Sequence, residues 1–262
     1  MESIVIPSII LGGLGLLFGL LLAFASIIFK VDTDERIDEI TNLLPGANCG
    51  GCGFAGCSAF AKAIVDGKAS VSGCKVVSEE NMEKISLVMG VECTKEERKV
   101  AFVKCSGKCG VSQDKYEIFG VDDCLTAYTL SGGPKKCSYG CMGLGSCVNA
   151  CKFGAISIVD GVAVVDDSRC VGCGSCADIC PKHVISLIPA TQKVVVACSS
   201  KDKGAVVKDY CSTGCIGCGI CAKNCAQNAV TVTDFLAEVD NEKCIDCGIC
   251  TDKCPKKIIS RK

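Results

Sequence analysis

Tryptophan is absent from the 262 residues, and nine Phe and four Tyr make up the whole aromatic complement. Aromatic side chains can therefore build little of the interior, and something else must organise it. Net charge is also missing. Lys plus Arg (28) nearly balance Asp plus Glu (29), so there is no basic field for nucleic acid, and protein partners are expected instead. No nucleophile motif, Walker loop or dinucleotide fingerprint after a strand is present. Gly143-Leu144-Gly145 lies inside a cysteine run and is not a nucleotide loop. The sequence makes no case for substrate chemistry.

What the chain has in excess is cysteine, 26 in all. Such density means a disulfide scaffold or a metal protein, and spacing decides between them. Disulfide scaffolds are mostly short secreted domains, whereas residues 170–180, 215–225 and 244–254 each read C-x2-C-x2-C-x3-C. That is the bacterial ferredoxin spacing for a [4Fe-4S] cluster. Clusters would then replace the missing core, and the apo chain is expected to be largely unfolded.

The runs belong to a duplication. A shift of 74 residues lays Cys124, Cys137, Cys141, Cys147, Cys151, Cys170, Cys173, Cys176 and Cys180 on Cys198, Cys211, Cys215, Cys221, Cys225, Cys244, Cys247, Cys250 and Cys254. Each copy carries a pair of short alternating strands between two cysteine runs, as in a dicluster ferredoxin fold. In that fold the fourth cysteine of each run ligates the other run's cluster. The second copy thus predicts one set of Cys215, Cys218, Cys221 and Cys254, and another of Cys244, Cys247, Cys250 and Cys225. In the first copy Leu144 stands where the second has Cys218. Cys137 is the expected substitute, giving Cys137, Cys141, Cys147 and Cys180, with Cys170, Cys173, Cys176 and Cys151 around the partner. A three-cysteine [3Fe-4S] site is the alternative. Cys198 and Cys211 receive no role. His183, the one histidine, reads as a surface side chain because these sets are complete without it.

Nearer the N-terminus, no charged residue occurs from Ser3 to Phe29, a run long enough to cross a bilayer as one helix. A secretory signal peptide is the competing reading, against which stand the absent positive n-region and the length of the run. Gly15, Gly19 and Ala23 form a small-residue stripe suited to a neighbouring membrane helix, although Gly is common in such helices anyway. Lys30 and Arg36 follow the run and Glu2 precedes it, which predicts a single-pass protein of the cell membrane with its bulk on the cytoplasmic side.

Next comes Leu44-Pro-Gly-Ala-Asn-Cys49-Gly-Gly-Cys52-Gly-Phe-Ala-Gly-Cys57, with Cys74 beyond it. Four thiols with glycines between them suit a cluster wrapped closely by backbone N–H groups, a four-cysteine zinc site being the alternative. This stretch resembles the small [4Fe-4S] domain of the Rnf complex B-subunit family, also found in some corrinoid-linked proteins. In that family it follows a membrane helix and precedes ferredoxin modules, an order this chain matches over essentially its whole length. Rnf complexes are ion-translocating ferredoxin:NAD+ oxidoreductases. The resemblance therefore implies an electron-relay subunit with soluble ferredoxin as donor and other membrane and peripheral subunits as neighbours. Two other readings stay open: a polyferredoxin supplying another membrane oxidoreductase, and an Fe-S storage or delivery protein.

The expected fold is α+β: a transmembrane anchor (1–30), a small [4Fe-4S] domain (31–90), a linker region (91–123) and two tandem dicluster modules (124–190 and 191–262). Five [4Fe-4S] clusters are expected. A sixth is left open at Cys93, Cys105, Cys109 and Cys124, whose spacing matches no known signature.

Overall fold

The computed structural model describes residues 2–28, 34–92 and 97–262. Helix α1 (Glu2–Ile28) is apolar, and its described side chains over residues 11–24 are all exposed. Those side chains cover only part of the helix, and among the described residues no helix is long and apolar enough to cross a membrane. The transmembrane helix expected over 1–30 is thus not confirmed by them.

The small domain is built from three helices, α2 (Glu35–Leu43), α3 (Cys57–Val65) and α4 (Glu79–Met89). Side-chain caps fix two of their starts, Asp34 accepting the Arg36 N–H at 3.0 Å and Ser78 Oγ accepting that of Asn81 at 3.3 Å. Ile40, Phe60, Ile64 and Ile85 meet in a fully buried core. Asn81 also donates to the Leu43 carbonyl at 2.8 Å, which ties α4 to the end of α2.

Two further units follow, and they repeat. In the first, β1 (Lys99–Val103) pairs antiparallel with β4 (Ile185–Pro189), with Val103 opposite Ile185, and β2 (Ile156–Val159) forms a hairpin with β3 (Val162–Val165). In the second, β5 (Val194–Val196) pairs with β8 (Ile259–Arg261), Val196 opposite Ile259, while β6 (Val230–Thr233) and β7 (Leu236–Val239) form the hairpin. The hairpins begin 74 residues apart, as the cysteine register requires. One boundary moves. Residues 99–103, expected within a linker, are a strand of the first module, because Val100, Ala101 and Val103 are buried in its core.

A glycine from each leading cysteine run lies on the hairpin turn of its own module. A Cβ on Gly143 would approach the Gly161 carbonyl oxygen to 2.4 Å, and one on Gly217 would reach Phe235 Cα at 2.8 Å. Both glycines also have positive φ, 75° and 64°. Only the smallest residue fits there.

Every sheet among the described residues has two strands, a size that is marginal in water without support. The support comes from cysteines, which make up part of both module cores. Removing iron with a chelator under anaerobic conditions is accordingly expected to abolish hydrogen-exchange protection in both hairpins. Protection that survives in an iron-free chain would show that the strands stand without metal.

Candidate metal centres

Short helices over Ser146–Ala150, Ser175–Asp178, Ile220–Lys223 and Ile249–Lys253 each carry the third cysteine of a run inward. Cys147, Cys176, Cys221 and Cys250 are consequently buried. Their sulfurs do not converge on one point: among the described residues no group of His, Cys, Asp or Glu closes on a single-ion position. The thiols instead surround cavities.

Five such cavities have similar volumes, about 320 to 380 Å³ including their mouths, and each is lined by at least four cysteines. Cys49, Cys52, Cys57 and Cys74 surround the first. Cys151, Cys170, Cys173 and Cys176 surround another, and Cys215, Cys218, Cys221 and Cys254 a third. In both modules the fourth cysteine of one run therefore sits with the other run's thiols. Cys225, Cys244, Cys247 and Cys250 occupy the equivalent positions at the end of the repeat. There the Ala229 N–H donates to Cys225 Sγ at 3.3 Å, as the Ala155 N–H does to Cys151 Sγ at 3.4 Å.

The fourth cavity departs from expectation. Cys141, Cys147 and Cys180 line it together with Cys124, and Cys137 does not. The reason is local. Helix α5 (Cys124–Thr129) starts at Cys124, whose N–H donates to Ser146 Oγ at 2.7 Å, while Ser146 Oγ donates to Asp123 at 2.6 Å. These bonds hold Cys124 beside the Cys147 turn, in the role Cys218 has in the second copy. Cys137 lies at the fifth cavity, with Cys105, Cys198 and Cys211.

The proposed quartet of Cys93, Cys105, Cys109 and Cys124 is not assembled. Cys105 and Cys124 line different cavities. Cys109 is exposed, with its sulfur against the hairpin turn at Gly161. Cys93 lies outside the described residues. His183 is exposed.

Donor chemistry in these cavities fits iron-sulfur clusters. Backbone N–H groups point at sulfur, from Ala101 to Cys170 at 3.3 Å, Gly107 to Cys105 at 3.3 Å and Cys215 to Cys198 at 3.4 Å, the contacts that stabilise charge on a cluster and its ligands. Without metal, burial pushes the Cys147 thiol up to about 12 and Cys176 up to about 11, with neighbouring thiols adding to the effect. Since the ligand is a thiolate, cluster insertion displaces these protons.

In the small domain, Asn48 positions the loop: its Oδ1 accepts the Cys57 N–H at 2.8 Å, and a Cβ on Gly56 would press on the same oxygen at 2.8 Å. This accounts for the Asn before the first cysteine and the Gly before the third.

Replacing Cys124 by Ala is expected to remove about four iron atoms per chain, the content of one [4Fe-4S] cluster, and to alter the same EPR signal as Cys180→Ala. Adding Leu144→Cys to the Cys124→Ala chain should restore both, because it recreates the spacing of the second copy. Full iron retention by the single variant would rule out the role of Cys124.

Comparison with known proteins finds iron-sulfur families over three stretches of the chain. Residues 44–76 match a family described by its Fe-S cluster, residues 163–186 a 4Fe-4S binding domain, and residues 214–259 a 4Fe-4S dicluster domain. The chain thus carries multiple [4Fe-4S] sites. It is 47% identical over 261 residues to the B subunit of the ion-translocating oxidoreductase complex of Methanosarcina acetivorans, covering 99% of each chain. It is 42% identical over 244 residues to the B subunit of the Na+-translocating ferredoxin:NAD+ oxidoreductase complex of Acetobacterium woodii, covering 93% of this chain and 73% of the relative. The same identity extends over 242 residues of the proton-translocating counterpart from Clostridium ljungdahlii, 92% of this chain and 85% of the relative. Similarity of this extent, running from end to end across every cysteine cavity, places the chain in the family of Rnf-type ion-translocating oxidoreductase complex B subunits.

Proposed function

We propose that the chain is the electron-relay subunit of an ion-translocating ferredoxin:NAD+ oxidoreductase complex. Reduced soluble ferredoxin docks at a dicluster module, and the small domain hands electrons to membrane subunits. When bound, the clusters supply one-electron transfer; the protein's part is to hold its ligand sets close together. The ligand sets proposed for five clusters are Cys49, Cys52, Cys57 and Cys74; Cys151, Cys170, Cys173 and Cys176; Cys124, Cys141, Cys147 and Cys180; Cys215, Cys218, Cys221 and Cys254; and Cys225, Cys244, Cys247 and Cys250.

The observation that carries this reading is the contact between the small domain and the first module. Cys173, which lines the module's cavity, also lines the cavity of Cys49. A Cβ on Gly51 would stand 2.6 Å from the Cys173 carbonyl oxygen. Lys152 Nζ donates to the Asn48 carbonyl at 2.6 Å and Ser175 Oγ to that of Cys49 at 3.5 Å. A storage or delivery protein has no need for two sites pressed together in this way, whereas a relay depends on it.

The uncharged run 3–29 precedes the small domain directly, which supports α1 as a single membrane anchor with the cysteine domains on the cytoplasmic face. Thiol labelling of intact and opened cells at an engineered surface cysteine would test that side. Labelling from outside would reverse it.

For the full chain in detergent, reduced ferredoxin is expected to reduce the clusters reversibly in an anaerobic titration, with no loss of iron over repeated cycles. Failure of reduction removes ferredoxin as donor, and intact transfer of clusters to an apo-acceptor would favour delivery. Gly51→Val is expected to leave the iron content unchanged while slowing reduction of the small-domain cluster relative to those of the modules. An unchanged rate would remove the Cys173 contact from the path.

A further inference from the structure

Four cysteines meet in one place apart from the ferredoxin quartets, Cys137 among them although the sequence assigned it to the first module. Cys105, Cys137, Cys198 and Cys211 line the cavity between the two modules, and apart from the shared wall at Cys141 none belongs to a ferredoxin quartet. Their arrangement follows the duplication. Cys105 lies two residues beyond β1 and Cys198 two residues beyond β5, strands that occupy equivalent places opposite β4 and β8. The Cys141 N–H donates to Cys105 Sγ at 3.4 Å, and the Cys215 N–H, 74 residues later, donates to Cys198 Sγ at 3.4 Å. Cys137 and Cys211 are also 74 apart, each backed by a glycine whose Cβ would touch it at 3.4 Å, Gly140 and Gly214. The counterpart of Cys198 in three dimensions is therefore Cys105, although the 74-residue register had laid it on Cys124. Each module contributes the same two thiols to a common centre.

The surroundings ask for an occupant. Ser112 Oγ is buried on the wall of this cavity without a hydrogen-bond partner. Lys135, a side chain rarely found inside, also lines it and is 6% exposed. Among the described residues its Nζ reaches the Gly107 carbonyl at 3.3 Å and the Asp114 carboxylate at 3.7 Å. A buried hydroxyl and a buried cation beside four thiols suit an anionic group with exposed sulfide acceptors. The walls are pinned across the modules as well: Ser112 and Cys211 form an antiparallel bridge, the Gln113 N–H donates to the Tyr210 carbonyl at 2.8 Å, and that of Ser212 to the Val111 carbonyl at 3.1 Å.

We infer that Cys105, Cys137, Cys198 and Cys211 ligate a sixth [4Fe-4S] cluster, shared by the two modules, that joins their cluster pairs into one path. Cys141 lines both this cavity and that of the first module, and Ile258 lines both this cavity and that of the second. The site takes one electron from a reduced cluster on one side, which is oxidised, and passes that electron to an oxidised cluster on the other. The joining role rests on the relay reading above; the metal site does not.

The test uses the full chain, reconstituted anaerobically with iron and sulfide. A Cys93→Ala/Cys109→Ala variant, lacking the two cysteines outside the six sets, is expected to keep about 24 Fe, six clusters' worth. A drop to about 20 Fe would overturn the assignment, and Cys109 is exposed enough for this variant to fold. Cys211→Ala and, from the other module, Cys137→Ala should each lose about four Fe and the same EPR component; full iron in either would equally overturn it. Lys135→Gln should keep all the iron and lower the midpoint potential of that component alone, and an unmoved potential would remove Lys135 from the site. Ferredoxin titration of Cys211→Ala should then reduce only the clusters on the side where ferredoxin docks. If the wild type is not reduced by ferredoxin yet the iron counts fall as stated, the relay reading fails and the sixth site stands.

Discussion

Iron–thiolate bonding is the interaction on which the ferredoxin modules depend. Each sheet stops at two strands and the helices beside the clusters run to four or five residues, too little to bury a self-sufficient core. Cys141, Cys147, Cys170 and Cys176 belong to the same buried group as Val100, Ile156 and Val184. The atoms that would carry the ligand bonds thus also fill the interior. Folding and redox chemistry are not separable here, since a change that frees a thiol removes a ligand and opens the core at once. The small domain differs, because its three helices, two of them capped by side chains, and the Phe60 cluster give it a core partly independent of metal.

Local spacing made the ferredoxin runs legible in the sequence, and the 74-residue repeat made the exchange of fourth cysteines legible too. Both follow from chain geometry over a dozen residues. What could not be read was set by docking over long separations. Cys124 reaches the Cys141 cavity because Ser146 receives its N–H, a bond across 22 residues. Cys105 reaches the inter-module cavity because β1 pairs with β4, some eighty residues on. Nothing local names the partner of the strand at residues 99–103, and so the segment read as linker. A numerical register that laid Cys124 on Cys198 was correct in sequence and misleading in space.

The two copies show what a cluster site demands of a sequence. The leading site of the first module obtains its fourth thiol from an upstream helix, whereas that of the second obtains it from within the run, yet the two cavities are of similar volume. The glycines at 143 and 217, by contrast, keep the same contact with the hairpin turn in both copies. Spatial arrival of sulfur is required and its route is free; the close backbone approach has one solution. Divergence therefore appears among the cysteines, which spacing arguments treat as fixed, and not at these glycines.

A buried lysine distinguishes the inter-module cavity, since Lys182 and Lys256 at the two adjacent cavities are only half-buried. Lys135 is held inside it, and the Asp114 carboxylate that faces the ammonium is 55% exposed and therefore well screened by water. An added electron at a cluster in this cavity would meet a cation across a medium that screens poorly. Among the described residues lining the Cys49 cavity, the one cation is Lys75, while glycine-rich backbone dominates the wall. A buried ammonium therefore favours the reduced state of a cluster held in this cavity.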